Sequence, residues 1–179
     1  MTKMSPVKQA TITAACMALC CVLPMAFHSL SLGSAFSPMH IPVLLCGLIC
    51  GGWYGCFCGI AGPVLSSVLT GMPGATGLIF MVPELAVYGL VSGLVMRLVR
   101  TRSLCADLYI ALITAMLLGR VAGGIASAIF YMGNGETFSI ALWAASNCAG
   151  TVPGIIAHLI LLPVMVIMLM KARLIPNRY

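Results

Sequence analysis

The chain has 179 residues, 61% hydrophobic and 7% charged, with nine Lys and Arg against three Asp and Glu. So few charges cannot coat a water-facing surface, and so apolar a chain cannot stay disordered, which excludes a soluble domain and an unfolded one. The apolar stretches are continuous rather than alternating, which excludes an outer-membrane barrel and leaves a helical membrane protein.

In chain order, the first apolar run covers about 8–27. A short basic start before an apolar stretch is also the plan of a cleaved leader, but the stretch is long and no small-residue cleavage site follows it closely. Ala10, Ala14 and Ala18 are spaced by four on this run. Such small residues let helices approach closely in lipid, so this face meets either the bundle or a partner protein. The next run, 41–70, is long for one span and short for two. Gly51 and Gly52 lie inside it, and adjacent glycines favour a tight turn. The run is therefore expected to divide into helices 41–51 and 53–70. Three further runs predict helices at 79–97, 106–131 and 147–171.

The basic residues decide between five spans and six. With five, Arg97, Arg100, Arg102 and the basic C-terminus fall opposite Lys3 and Lys8, against the positive-inside rule. With six, Lys3, Lys8, Arg97, Arg100, Arg102, Lys171, Arg173 and Arg178 share one side, and the connections 28–40, 71–78 and 132–147 hold no Lys or Arg. The expected architecture is an all-α bundle of six transmembrane helices, a single domain over 1–179, with both termini cytoplasmic. The outer connection 70–77 is rich in Gly and Pro and is expected to be irregular. Residues 133–136 read as a turn. Such loops either lid an outward pocket or simply connect helices.

Small residues recur on the later helices: Gly89 and Gly93, then Ala111, Ala115, Gly119, Gly123 and Ser127, then Ser146, Gly150 and Gly154. Internal packing is the plain reading. Ionisable residues within the spans point more sharply to function, because burying them is costly. Arg120 is deep in the fifth helix, and its planar fork of donors suits a carboxylate. Glu84, about one and a half turns from the outer end of the fourth helix, either pairs with Arg120 or joins it in a site. His158 continues the small-residue row of the last helix. Asn147 caps that helix or binds a solute. His40 enters the second helix at the outer surface. Trp143 and Tyr131 sit at the outer boundary, where an aromatic belt is usual and solute stacking is the alternative.

The nine cysteines lie almost wholly in apolar runs, without paired CxxC and His spacing, so they read as small buried residues and no metal site is expected. No HExxH and no GxxxxGK[ST] occurs. With three acids in the chain, an enzyme and an ATPase are disfavoured, and no cofactor is expected. No basic run interleaved with aromatics suggests nucleic acid.

Three features together resemble the substrate-binding (S) component of energy-coupling factor (ECF) vitamin transporters, over essentially the whole chain. The first is the Ala10, Ala14, Ala18 spacing, similar to the AxxxA signature of that family. The second is the stretch through Pro42, Leu45, Gly47, Gly51, Gly52 and Gly55, similar to the family's segment joining helices 2 and 3, although the turn lacks the usual proline. The third is the six-helix layout with a short basic tail. The resemblance implies capture of a vitamin in an outward-facing pocket and docking of Ala10, Ala14 and Ala18 on a transmembrane coupling subunit. It also implies two ATPase partners, release inside by toppling, and a place in the cytoplasmic membrane of a prokaryote. Residues 37–45, 69–73 and 84–89 look like a subgroup assigned to pantothenate. A small hydroxylated carboxylate suits Arg120 with Asn147 and His40, while Glu84, His158 and Trp143 complete the expected substrate-binding set. Folate, riboflavin, a pyridoxine form and cobalamin stay open. A stand-alone carrier or channel lined by Arg120 and Glu84 is the alternative from another class.

Overall fold

In the computed structural model, residues 4–29, 37–135, 137–145, 147 and 150–175 are described. They form seven helices: α1 (Pro6–Ser29), α2 (His40–Cys50), α3 (Gly52–Thr70), α4 (Ala75–Leu98), α5 (Leu104–Gly133), α6 (Ile140–Ala144) and α7 (Val152–Lys171). Five of these, α1, α3, α4, α5 and α7, are long and apolar enough to cross a membrane, and α2 is apolar but shorter.

The 41–70 run is two helices joined through Gly51. Its φ of 100° lies where side-chain-bearing residues are strained, and its N–H donates to the Gly47 carbonyl at 3.0 Å. The resulting hairpin is packed backbone to backbone against α4. A methyl group at Gly89 would overlap the Gly55 carbonyl oxygen, and one at Gly59 the Leu85 carbonyl. One at Gly93 would overlap the Gly52 nitrogen. In lipid, tails are as apolar as leucine, so association has to come from this kind of close contact.

α2 occupies the centre. It packs on α1, α3, α4, α5 and α7, and nine of its eleven residues are buried. α1 turns Thr13, Cys16, Cys20 and Pro24 inward, whereas Ala10, Ala14 and Ala18 are exposed. Gln9 is tied to the end of α2, its Nε2 donating to the Cys50 carbonyl at 3.1 Å. Cys16, Cys46, Cys50 and Cys58 belong to one buried core cluster, in which the Cys46 thiol lies 3.5 Å from Thr13 Oγ1. These cysteines are free and buried, and they fill space between α1, α2 and α3 as small apolar groups. Among the described residues no group of three or more His, Cys, Asp or Glu is arranged to hold a metal ion.

Two boundaries that bear on the site differ from expectation. α4 begins at Ala75, so Thr76 and Gly77 are helical and only 71–74 is irregular. Gly74 supplies the extended N-cap, and Ser66 and Ser67 hold the loop by donating to the Met72 and Pro73 carbonyls at 2.7 and 2.9 Å. Glu84 is consequently nine residues from the helix start, two and a half turns rather than one and a half. The last helix begins at Val152, not 147. Gly150 therefore lies in the turn before it, and Asn147 is not its cap. The cap position is Thr151, followed by a proline in the first turn. Ser146, Cys148 and Glu136 lie outside the described residues. At the other end of the bundle, Asp107 accepts from the N–H and hydroxyl of Thr101 at 2.9 and 2.8 Å, which secures the α4–α5 connection.

Candidate functional site

The second face of α4 carries Phe80, Glu84 and Tyr88, spaced by four and therefore stacked on one side of the helix. Facing them on α5 are Gly119 and Gly123, whose missing side chains make room. A methyl group at Gly119 would strike the Tyr88 ring, and one at Gly123 would lie 2.9 Å from Glu84 Oε2. The carboxylate of Glu84 thus reaches into the seam between the helices.

Three groups from three helices converge on one oxygen. The Tyr88 hydroxyl donates to Glu84 Oε1 at 2.8 Å. Arg120 Nε and His40 Nε2 each lie 3.5 Å from the same atom. Side-chain exposure is 12% for Glu84 and 14% for Arg120, so the pair is mostly shielded. Charges so placed attract strongly because little water screens them, and removing either one leaves its partner uncompensated at a cost of about 3 kcal/mol.

The rest of the Arg120 guanidinium reaches the segment that leads into α7. Nη1 donates to the Asn147 carbonyl, and Nη2 donates to Thr151 Oγ1 at 2.7 Å. Thr151 in turn donates to the Asn147 carbonyl at 2.7 Å. Asn147 contributes its backbone oxygen here, while its amide donates to the Trp143 carbonyl at 3.2 Å. Four residues back along this segment, the Trp143 indole rests on Gly124 of α5, where even a methyl group would come within 3.0 Å of the ring. Gly124 is one turn from Arg120, so the tryptophan covers the approach along that face.

His40, the first residue of α2, is buried rather than water-facing. Its ring lies 5.0 Å from Tyr88 and 5.9 Å from His158, nearly parallel to the latter. Its Nδ1 is 3.1 Å from the Ser37 carbonyl. Toward the α4 N-terminus, the Tyr131 ring is stacked between Phe80 and Phe138 at 5.7 and 6.3 Å. Phe130 meets Phe80 edge-on at 5.2 Å.

The six residues singled out by sequence, His40, Glu84, Arg120, Trp143, Asn147 and His158, thus belong to one connected neighbourhood. Ala10, Ala14 and Ala18 are elsewhere, on the outer face of α1. Sequence reasoning passed over two members. Tyr88 follows Glu84 by one helical turn, which is its signal. Thr151 stands just before Val152 and Pro153, the pattern of a hydroxyl residue ahead of a proline-started helix.

Residues 8–170, from the first turn of α1 to the last of α7, match the family described as ECF transporter, substrate-specific component. No curated protein and no solved structure matched the chain. The long apolar helices, the scarcity of acids and the family match agree. The chain belongs to the substrate-specific component family of ECF transporters, non-catalytic multi-pass subunits of the prokaryotic membrane that associate with an energising module.

Proposed function

We propose that this component captures a small vitamin carrying a carboxylate, with pantothenate as the first candidate, and that the solute meets Arg120. The observation that carries this reading is a mostly shielded arginine in the middle of an apolar helix, beside neutral hydrogen-bonding groups as well as Glu84. Its forked donors match a carboxylate. His40, Glu84, Trp143, Asn147 and His158 line the same site. The hydrophobic residues around them exclude water and strengthen each polar contact.

In this reading α2 and α3 form a hairpin of two membrane elements, which gives six in all and puts both termini on the cytoplasmic side with the basic residues. The exposed Ala10, Ala14 and Ala18 face of α1 docks on the coupling subunit, and toppling there delivers the solute inside. The inward-turned Thr13, Cys16 and Cys20 leave that face free for a partner.

Calorimetry of a vitamin panel, pantothenate included, on the purified chain tests the proposal. Submicromolar binding of one vitamin, lost in Arg120→Ala, is the expected result. A well-folded sample that binds none of them refutes the capture role. Ala14→Leu is expected to leave solute binding intact and to abolish ATP-driven uptake. Equal loss of both would remove the docking role from α1.

A further inference from the structure

We infer that Glu84 is a resident counter-ion: it occupies Arg120 in the unloaded protein, gives way to the solute's carboxylate, and reclaims Arg120 as the solute leaves. The inference rests on the reading that the solute meets Arg120, and it assigns Glu84 a role opposite to that of a holding contact.

The geometry separates the exchangeable contact from the fixed ones. An arginine offers five N–H donors. Two contacts of Arg120, to the Asn147 carbonyl and to Thr151 Oγ1, go to neutral oxygens of the segment entering α7. The third, from Nε to Glu84 Oε1, spans 3.5 Å. That is longer than the roughly 2.7–2.9 Å of a well-made charge-assisted hydrogen bond. The shortest bond of Glu84 is instead with Tyr88 of its own helix, at 2.8 Å, and His40 Nε2 lies at 3.5 Å. Glu84 therefore keeps its Tyr88 hydrogen bond when Arg120 turns to another anion.

Charge explains why this matters for transport. Without Glu84, the unloaded site would hold an uncompensated buried cation and would bind any carboxylate too firmly to release it. With Glu84 present, the described pair is neutral when empty. A loaded site then holds two anions beside one cation, and like charges side by side in a shielded site weaken binding. Part of the intrinsic affinity of Arg120 is thus given up, and the same interaction favours unloading.

The test compares wild type with Glu84→Gln, which keeps shape and removes charge. Calorimetry on the purified full chain uses pantothenate and panthenol, its neutral alcohol counterpart. Glu84→Gln is expected to bind pantothenate at least about tenfold more tightly, a gain well beyond any change in panthenol binding. In cells supplying the energising module, uptake by the variant is expected to slow despite the tighter capture. Weaker pantothenate binding by Glu84→Gln overturns the inference, because Glu84 would then be a direct solute ligand.

A second arm is independent of solute identity. Thermal unfolding is followed in formate against chloride at matched ionic strength. Glu84→Gln is expected to be stabilised by formate, while wild type and the Glu84→Gln, Arg120→Gln double variant are not. Should Glu84→Gln fail to fold, Glu84→Asp shortens the reach to Arg120, and an intermediate formate response is expected. If wild type binds no vitamin, the functional reading fails while formate still reports the exchange. An equal formate response in wild type and variant overturns the exchange itself.

Discussion

The two faces of α4 solve opposite problems. Toward the α2–α3 hairpin, Gly89 and Gly93 meet Gly47, Gly52 and Gly55 with backbone against backbone. Nothing there can move without the helices moving. Toward α5, Glu84 and Tyr88 meet Gly119 and Gly123, and the space left by those glycines is filled by the two polar side chains, hydrogen-bonded to each other. One helix thereby joins a face of touching backbones to a face of polar side chains. Glycine serves both, in one case to remove a side chain so that backbones touch, in the other to make room for a side chain that works.

The contrast is breakable. The largest effect is expected at Gly89→Leu, whose side chain has only the Gly55 backbone to displace. The loss should exceed about 3 kcal/mol, read as failure to recover folded protein in detergent. A folded, normally stable Gly89→Leu chain would show that the seam is not tight. Next comes Arg120→Ala on the polar face. It leaves Glu84 without its cation and should cost about 3 kcal/mol, seen as a lower thermal midpoint alongside the lost solute binding. The smallest is Gly119→Ala, where the clash is chiefly with the Tyr88 ring, the Glu84 carbonyl oxygen lying 3.1 Å away. The fully buried ring has to shift to admit the methyl group, so about 2 kcal/mol is expected, with solute affinity falling as well. Equal costs at Gly89 and Gly119 would erase the distinction between the two faces.

Much of this division is legible in sequence, for identifiable reasons. The break in the 41–70 run is legible because two adjacent glycines interrupt an apolar stretch of awkward length. The meeting of Glu84 and Arg120 is legible because ionisable groups in lipid have few acceptable partners. The glycine seam of the hairpin is harder. Gly55 and Gly59 have the spacing of a packing stripe, but nothing in one chain names the opposing helix. The start of α7 is hidden for another reason. Residues 146–150 are small or apolar and read as helix, yet the Asn147 carbonyl is bonded to Arg120 and to the Thr151 hydroxyl. A contact to a residue 27 positions earlier has no local signature. His40 is similar: its polarity suggests water, and only the convergence of α4 and α7 on α2 buries it.

The brevity of α2 has a bearing on distance travelled. Eleven residues span about 16 Å at 1.5 Å each, roughly half the 30 Å hydrocarbon thickness. The Gly51 end of α2 lies at the level of Arg97, near the end of α4, so His40 at the other end stands close to the middle of the bundle. On the proposed capture reading, a solute beside His40 waits about one α2 length from the Arg97 end of the bundle. On that proposal, the displacement left for the energising module is on the order of one such helix length.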